Sequence, residues 1–262
     1  MEEHRARKRF GQNFLVDGNI IRKIVAAIDP KPDQAMVEIG PGLGAMTRPL
    51  TERLDRLHVI EIDRDLAQRL REGELAGKLV IHEQDALKFD FAALAGSLDS
   101  ALRVVGNLPY NISSPLLFHL SEHAEQVCDM TFMLQKEVVD RIVAAPDTEA
   151  YGRLSVMLQY RFECSHLFDV PPGAFRPMPK VMSAIVRLKP RPPAQLDARD
   201  PELMSAIVKA AFGQRRKTLR NTLREWLGQT DWDTLDIDAS RRGETLDLAD
   251  YVRIANHVAM RR

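Results

Sequence analysis

The side chains best placed for chemistry stand at the ends of short apolar runs in the first half of the chain. Val37–Gly44 has the pattern of a buried strand that enters a turn with three glycines within five residues. Glycine lets a turn approach a ligand closely, and free N–H groups at the start of the next helix would face that ligand. A second apolar run ends in Glu61, where a ribose diol is usually held. The combination predicts a site for a nucleoside-containing cofactor.

The glycine-rich turn does not identify that cofactor. Gly40, Gly42 and Ala45 satisfy the G-x-G-x-x-G/A dinucleotide pattern, and Glu61 lies near the expected spacing. A nicotinamide-dependent dehydrogenase is therefore an open alternative. A glycine-rich turn without any ligand is disfavoured, because strand, turn, helix and acidic residue occur together.

A second motif, Asn107-Leu108-Pro109-Tyr110, follows the fourth apolar run. Such residues make turns routinely, so the motif gains its meaning from its place beside the cofactor site. The N6 of adenine is a poor nucleophile, because its lone pair is delocalised into the ring. The Asn107 amide oxygen and the Leu108 carbonyl can accept its two N–H bonds, while Pro109 stiffens the turn and Tyr110 stacks on a flipped base. A methyl group on a sulfonium needs mainly positioning, so the motif favours methyl transfer over hydride transfer.

The elements that must position these groups alternate along the chain. Helical stretches are predicted near 45–54, 64–72 and 114–123, which indicates βαβ units in a parallel, doubly wound α/β sheet. The third strand ends just before Asp85, whose carboxylate would then lie at the same edge and accept the amino group of an adenine. The predicted strands of this part are Met36–Gly40, Leu57–Ile62, Leu79–His82, Arg103–Gly106 and Met130–Leu134.

The second half of the chain has a different pattern. The last two predicted strands, Phe162–Val170 and Ser183–Leu188, are joined by a proline-rich stretch instead of a helix, so an antiparallel end to the sheet is expected. We therefore predict an α/β domain over 1–188, then a linker and a small all-α domain over 189–262. Its helices are predicted near 200–212, 215–227 and 247–259, and helices are also predicted at Glu137–Val143 and near 152–160.

The composition is that of an ordinary globular protein, with 45% apolar and 28% charged residues. No run has the length of a membrane span, and the basic N-terminal segment lacks the apolar part of a secretory signal, so a cytoplasmic location is expected. Cys128 and Cys164 lie in apolar runs and are predicted to be buried free thiols. The 37 basic and 37 acidic residues cancel, so only local clusters bear on nucleic acid binding.

Two basic segments are candidates for RNA contacts. Residues 4–9 form a basic arm, and Gln214–Arg224 carries five basic residues and no acid. Phe212, Leu219 and Leu223 recur at helical spacing, which predicts a helix with one inward face and cations on another. A solvated helix face is the alternative. The five candidate RNA-binding residues are Arg215, Arg216, Lys217, Arg220 and Arg224.

One further pattern suggests a metal. His119-Leu120-Ser121-Glu122-His123 matches the H-x-x-E-H motif of zinc peptidases. The leucines of this stretch already make it the amphipathic helix that follows the fourth strand, and no third ligand is evident. We therefore predict no metal site, and a metallopeptidase stays a second alternative.

Six motifs occur in order along nearly the whole chain: Phe10–Leu15, Glu38–Gly44, Asn107–Tyr110, Leu134–Val138, Tyr151–Val156 and Phe175–Lys180. Together they resemble the KsgA-type small-subunit ribosomal RNA adenine N6,N6-dimethyltransferases. The resemblance implies a Rossmann-like class I methyltransferase fold and S-adenosylmethionine as the donor. It also implies a monomer that dimethylates two adjacent adenosines near the 3′ end of 16S rRNA, within a 30S pre-ribosomal particle, and acts in 30S assembly.

The resemblance implies site residues by position. Asn107, Leu108, Pro109 and Tyr110 would hold the target base, and Phe175 would close on its other face. An RNA-binding assembly factor without catalysis is the remaining alternative, and the intact Asn107–Tyr110 motif argues against it. The residues implied to contact the donor are Asn13, Leu15, Glu38, Gly40, Gly42, Glu61, Asp85, Ala86 and Asn107.

Overall fold

A computed structural model describes residues 13–261, which divide into two compact units. The first unit comprises residues 13–139 and 165–190, and the second comprises 140–164 and 191–261. The break after residue 190 lies close to the predicted one. The prediction that 140–164 belongs to the α/β domain is wrong, because Tyr151, Val156 and Tyr160 pack into the core of the C-terminal helices. The basic arm 4–9 and residues Phe10–Gln12 lie outside the described residues.

A seven-stranded sheet has the order β4-β3-β2-β5-β6-β9-β7. The strands from β4 to β6 are parallel, and β9 runs antiparallel to β6, so the predicted α/β fold with an antiparallel end strand is confirmed. β2 and β3 are buried at every position, as expected for parallel strands covered on both faces. The bounds are β2 Met36–Ile39, β3 Leu57–Ile60, β4 Leu79–His82, β5 Leu102–Asn107, β6 Val127–Gln135, β7 Phe162–Val170 and β9 Ser183–Pro190.

Two very short strands form a separate pair that the sequence did not predict. β1, Phe14–Leu15, runs antiparallel to β8, Phe175–Arg176, and Leu15 lies opposite Phe175. The Val16 N–H also donates to the Ala174 carbonyl at 2.8 Å. This pair holds residues 13–15 beside the segment that precedes β9.

The helices begin and end at recognisable local signals. The Asp17 side chain accepts hydrogen bonds from the N–H groups of Asn19 and Ile20 and thereby caps the helix α1, Gly18–Ile28. α4 was not predicted from the sequence. None of the helices described over 13–261 is long and apolar enough to cross a membrane. The helices up to residue 161 are α1 Gly18–Ile28, α2 Thr47–Thr51, α3 Arg64–Glu72, α4 Phe91–Leu98, α5 Ser113–Glu122, α6 Lys136–Ile142 and α7 Arg153–Arg161.

The second unit contains four further helices: α8 Pro201–Gly213, α9 Leu219–Thr222, α10 Gln229–Leu235 and α11 Leu248–Ala259. The predicted helix over 215–227 is therefore wrong. The N–H groups of Leu219 and Arg220 donate to carbonyls of residues 241 and 239, at 2.8 and 3.0 Å, so they make no helical bonds to the preceding turn. The predicted inward packing is correct, since Leu219 and Leu223 are fully buried.

A buried arginine joins elements at the amino ends of the central strands. Arg103 on β5 makes a two-pronged contact with Asp129 on β6, with both nitrogen–oxygen distances at 2.8 Å. Its remaining N–H groups donate to the Ile28 carbonyl at 2.6 Å and to Gln34 Oε1 at 2.6 Å. The guanidinium thus connects the end of α1 to β5 and β6 through hydrogen bonds.

Candidate active site

The glycine-rich turn lies where β2 ends. Gly40, Gly42 and Gly44 have φ values of 67, 57 and 85°, a left-handed conformation that residues with a Cβ rarely adopt. A Cβ added to Gly42 would lie 3.2 Å from the ring of Phe14. The turn therefore depends on glycine both for its backbone conformation and for its close contact with β1.

Glu61 follows β3 and holds this turn from one side. Its Oε2 accepts the Gly42 N–H at 3.3 Å, and its Oε1 accepts the Asp63 N–H at 2.9 Å. The residue is 5% exposed, and burial raises the pKa of its carboxyl group. The carboxylate is thus fixed in orientation by two backbone N–H groups.

A second buried carboxylate holds the other side of the turn. Glu38 on β2 accepts a hydrogen bond from Thr47 Oγ1 at 2.7 Å. Burial, with a smaller contribution from the charge of Glu61, raises the pKa of Glu38 to about 7, and the Thr47 hydrogen bond opposes this rise. Glu38 therefore changes charge near neutral pH.

Asn107 ends β5 at the same edge of the sheet. Its Nδ2 donates to the Asn13 carbonyl at 3.0 Å, which orients the amide and leaves Oδ1 as the atom that would accept from a base. The Leu108 N–H donates to the Met133 carbonyl at 3.1 Å, so the start of the turn is bonded to β6.

Tyr110 is fixed at both its backbone and its ring. The phenol lies 2.8 Å from Ser183 Oγ, and Ser113 Oγ donates to the Tyr110 carbonyl at 3.1 Å. Burial raises the pKa of the phenol, so it stays protonated at neutral pH. The ring is half-buried beside the start of β9.

One cavity of about 200 Å³ brings these groups together. Asp85 belongs to it and caps a 3₁₀ turn, since its Oδ1 accepts the Leu87 N–H at 3.0 Å. All the residues predicted to contact the donor line this cavity, as do the four residues of the Asn107–Tyr110 motif: Asn13, Leu15, Glu38, Gly40, Gly42, Glu61, Asp85, Ala86, Asn107, Leu108, Pro109 and Tyr110.

Phe175 does not line the cavity, contrary to the prediction that it closes on the base. It is fully buried in the hydrophobic core of the first unit, among residues that include Leu15 and Ile185. Its place opposite Leu15 in the β1–β8 pair explains this burial, because both side chains are directed into the core.

Three residues of the site were not predicted from the sequence. Thr47 and Ser183 bind the side chains of predicted residues, and no motif singled them out. Gly106 allows β5 to approach β2, since a Cβ there would lie 2.6 Å from the Ile39 carbonyl oxygen. A small residue just before Asn107 was the one signal in the sequence that could have indicated this close approach.

The histidine motif has a packing role. His119 Nε2 lies 2.9 Å from the Phe89 carbonyl oxygen, and its ring contacts those of Phe91 and His123. Over residues 13–261, no group of three or more His, Cys, Asp or Glu side chains is placed to hold a metal ion. Cys128, predicted to be buried, is exposed.

The candidate RNA-binding cations lie around the short helix α9, and all five are exposed. Arg216 lies in the turn before α9 and Arg224 in the turn after it, so these two do not share a helix face with Arg220 as predicted. Arg215 Nε lies 3.9 Å from Glu244 Oε2, an acidic neighbour that the local sequence did not reveal. We call residues 214–224 the basic loop.

Comparison with known proteins decides the family. The family model for ribosomal RNA adenine dimethylases matches residues 3–260. The chain belongs to this family. The predicted resemblance to the rRNA adenine dimethylases is thereby confirmed.

Curated relatives agree with this assignment. The Ribosomal RNA small subunit methyltransferase A of Aromatoleum aromaticum is 67% identical over 259 residues, which covers 99% of this chain and 96% of the relative. The protein of the same name from Dechloromonas aromatica is 56% identical, with 99% and 100% covered.

Solved structures of related enzymes share the fold of this dimethylase. A dimethyladenosine transferase from Plasmodium falciparum has a TM-score of 0.76 at 25% identity, covering 92% of this chain and 95% of that one. The 23S rRNA methyltransferase ErmE has a TM-score of 0.72 at 26% identity, covering 94% and 100%. The predicted Rossmann-like methyltransferase fold is confirmed.

Proposed function

We propose that this dimethylase transfers methyl groups from S-adenosylmethionine to N6 of two adjacent adenosines near the 3′ end of 16S rRNA, within a 30S pre-ribosomal particle. The observation that carries the proposal is that one cavity contains the glycine-rich turn, its acidic residues and the Asn107–Tyr110 motif. We further propose that the protein acts as a cytoplasmic monomer and has a role in 30S assembly.

The donor-binding part of the cavity fits a nucleoside that carries positive charge. Glu61 is held at the end of β3, where its carboxylate can accept hydrogen bonds from ribose hydroxyls. Asp85 follows β4 and lines the same cavity, where its carboxylate would accept the amino group of an adenine. Glu38 adds a buried carboxyl group to the same part of the cavity, and in its ionised form this group would attract a cationic ligand.

The base-binding part fits an adenine taken out of its stack. Asn107 Oδ1 and the Leu108 carbonyl accept the two N6–H bonds, which favours a localised lone pair on N6, and the Tyr110 ring stacks on the base. The donor supplies an activated methyl group, whose transfer forms a carbon–nitrogen bond, breaks a carbon–sulfur bond and releases a proton from N6. Asn13 keeps the Asn107 amide in the orientation that this role requires.

Methyl transfer to isolated particles tests the function. Unmethylated 30S particles, naked 16S rRNA and 50S subunits would each be incubated with labelled S-adenosylmethionine and the protein. We expect N6,N6-dimethyladenosine in the 3′-terminal fragment of 16S rRNA, as read by mass spectrometry after nuclease digestion. Methylation of 50S subunits instead, or donor binding without any methylated adenosine, would contradict the proposal.

Changing Glu61 to alanine is expected to weaken donor binding by roughly 10- to 100-fold. The variant loses a charge-assisted acceptor, which contributes about 1.5–3 kcal/mol. Calorimetric titration with S-adenosylmethionine measures the effect. Glu52→Ala, which removes an exposed carboxylate next to α2, is the control and should bind the donor as the unaltered protein does. Equal donor affinities in the two variants would show that Glu61 does not contact the donor.

The basic loop is expected to determine salt-dependent binding to 30S particles. Changing Arg216, Lys217 and Arg220 together to alanine should weaken binding while leaving donor affinity unchanged. If each cation contacts a phosphate, the slope of log affinity against log salt becomes shallower by roughly 2–3 units.

The matched control for the basic loop is a triple variant in which Lys31, Arg53 and Arg56 are changed together to alanine. These cations are also exposed, but they precede strands β2 and β3 and so lie away from the cavity edge of the sheet. The control should keep the salt slope of the unaltered protein. Identical salt slopes for both triple variants would show that the basic loop is a solvated surface that does not contact the RNA.

A further inference from the structure

Thr47 closes the glycine-rich turn through a single buried hydrogen bond. Glu38 lies two residues before the turn begins at Gly40, and Thr47 is the first residue of α2, three residues after Gly44. Their side chains meet at 2.7 Å, with Glu38 1% and Thr47 0% exposed. The bond therefore spans the turn and joins β2 directly to the helix that follows it.

The two buried carboxylates of the cavity, Glu38 and Glu61, are held in different ways. Glu61 is oriented by backbone N–H groups, whereas Glu38 is oriented by the side chain of Thr47. Burying a carboxylate is unfavourable unless it accepts hydrogen bonds, so a donor beside Glu38 favours its ionised form. Glu61 is the other titratable group whose charge acts on Glu38.

We propose that Thr47 is a positioning residue of the donor site: its hydroxyl holds the Glu38 carboxylate in place and favours the ionised form that attracts a cationic donor. The proposal deepens the proposed function and rests on S-adenosylmethionine being the ligand of the cavity. Thr47 itself does not line the cavity, so it acts through Glu38, which does.

The proposal predicts a pH dependence with a definite sign. Burial raises the pKa of Glu38 to about 7, so the carboxyl is mostly neutral one pH unit below this value and mostly charged one unit above it. Donor affinity should therefore rise with pH across neutrality. Without the Thr47 hydroxyl the pKa of Glu38 rises further, so the same gain in affinity occurs at higher pH.

Thr47→Val and Thr47→Ser form a matched pair. Valine keeps the branched shape and loses the hydroxyl, whereas serine keeps the hydroxyl and loses the methyl group. At neutral pH we expect the valine variant to bind S-adenosylmethionine roughly tenfold more weakly, with the midpoint of the affinity-against-pH curve about one unit higher. The serine variant should keep the midpoint of the unaltered protein, even where lost packing lowers its melting temperature.

A double variant separates positioning from packing. Glu38→Gln removes the titrating group, so adding Thr47→Val to it should move neither the affinity nor any remaining pH midpoint. The measurement is calorimetric titration with S-adenosylmethionine at about five pH values between roughly 6 and 9, with circular dichroism to verify folding. Thr47→Ala replaces Thr47→Val if the valine variant does not fold.

Three results would overturn the proposal. The first is that Thr47→Val leaves the pH midpoint of donor affinity unchanged. The second is that Thr47→Ser shifts this midpoint as far as Thr47→Val does. The third is that Thr47→Val still weakens donor binding when Glu38→Gln is also present. Failure of the unaltered protein to bind S-adenosylmethionine at any pH would instead contradict the proposed function.

Discussion

Asn107→Ala is expected to lower the rate of methyl transfer by roughly 10²- to 10³-fold, the loss typical when one preorganised polar group is removed from an active site. The amide oxygen of Asn107 accepts from the reacting N6, so its loss affects the chemical step more than RNA binding. The rate should be measured in single turnover, at saturating 30S particles and S-adenosylmethionine. A near-normal rate under these conditions would show that the assigned role is wrong.

Two variants separate the acceptor from its surroundings. Asn107→Asp keeps an oxygen that can accept from N6 but loses the donation from Nδ2 to the Asn13 carbonyl. Its rate should therefore lie between those of the alanine variant and the unaltered protein. Tyr110→Phe keeps the ring and loses only the contact with Ser183, so it should be milder than Tyr110→Ala, which loses stacking worth about 1–3 kcal/mol.

Arg103→Leu is expected to lower the free energy of unfolding by about 3–5 kcal/mol, because it leaves the Asp129 carboxylate without its buried partner. The Arg103 side chain is 10% exposed and that of Asp129 is 16% exposed, so solvent compensates little. For a chain of this size the loss corresponds to a melting temperature lower by roughly 6–20 °C. Differential scanning calorimetry measures the change.

An exposed ion pair supplies the control for Arg103. Arg48 and Glu74 are 3.4 Å apart with side chains 62% and 82% exposed, so Arg48→Ala should cost less than about 1 kcal/mol. The double variant Arg103→Leu, Asp129→Leu should recover part of the stability lost by Arg103→Leu alone, because neither charge is then buried unpaired. Equal melting temperatures for Arg103→Leu and Arg48→Ala would contradict this account.

The central strands of the sheet were predictable because they are short, mainly apolar runs separated by helical patterns. Met36–Ile39 and Leu57–Ile60 are buried on both faces, so their sequences are unambiguous. The β1–β8 pair was not predictable, because strands of two residues are too short to show an alternation of apolar and polar side chains. The helix predicted near 215–227 does not form as one element, because the backbone there makes hydrogen bonds to residues 239 and 241 in place of helical ones. Such long-range hydrogen bonds cannot be predicted from the local sequence pattern.

The candidate site was largely predictable because its residues follow strands. The carboxyl ends of neighbouring parallel strands meet at one edge, so Gly40, Glu61 and Asn107 were expected together, and one cavity contains them. The position of Phe175 differs from the predicted one. Its proline-rich surroundings indicated a loop, whereas pairing with β1 buries its ring. Thr47 and Ser183 act only through other side chains, which sequence spacing does not reveal.

The second unit is discontinuous along the chain, and this has a consequence for its biosynthesis. Residues 140–164 emerge from the ribosome before the segment 191–261 with which they share a hydrophobic core. Until that later segment has been translated, the apolar side chains of Tyr151, Val156 and Tyr160 have no native core to enter. A fragment that stops after residue 190 would carry this uncovered surface permanently. Removing the C-terminal helices alone therefore does not isolate a self-sufficient α/β half, because residues 140–164 would remain without the core that they share with 191–261.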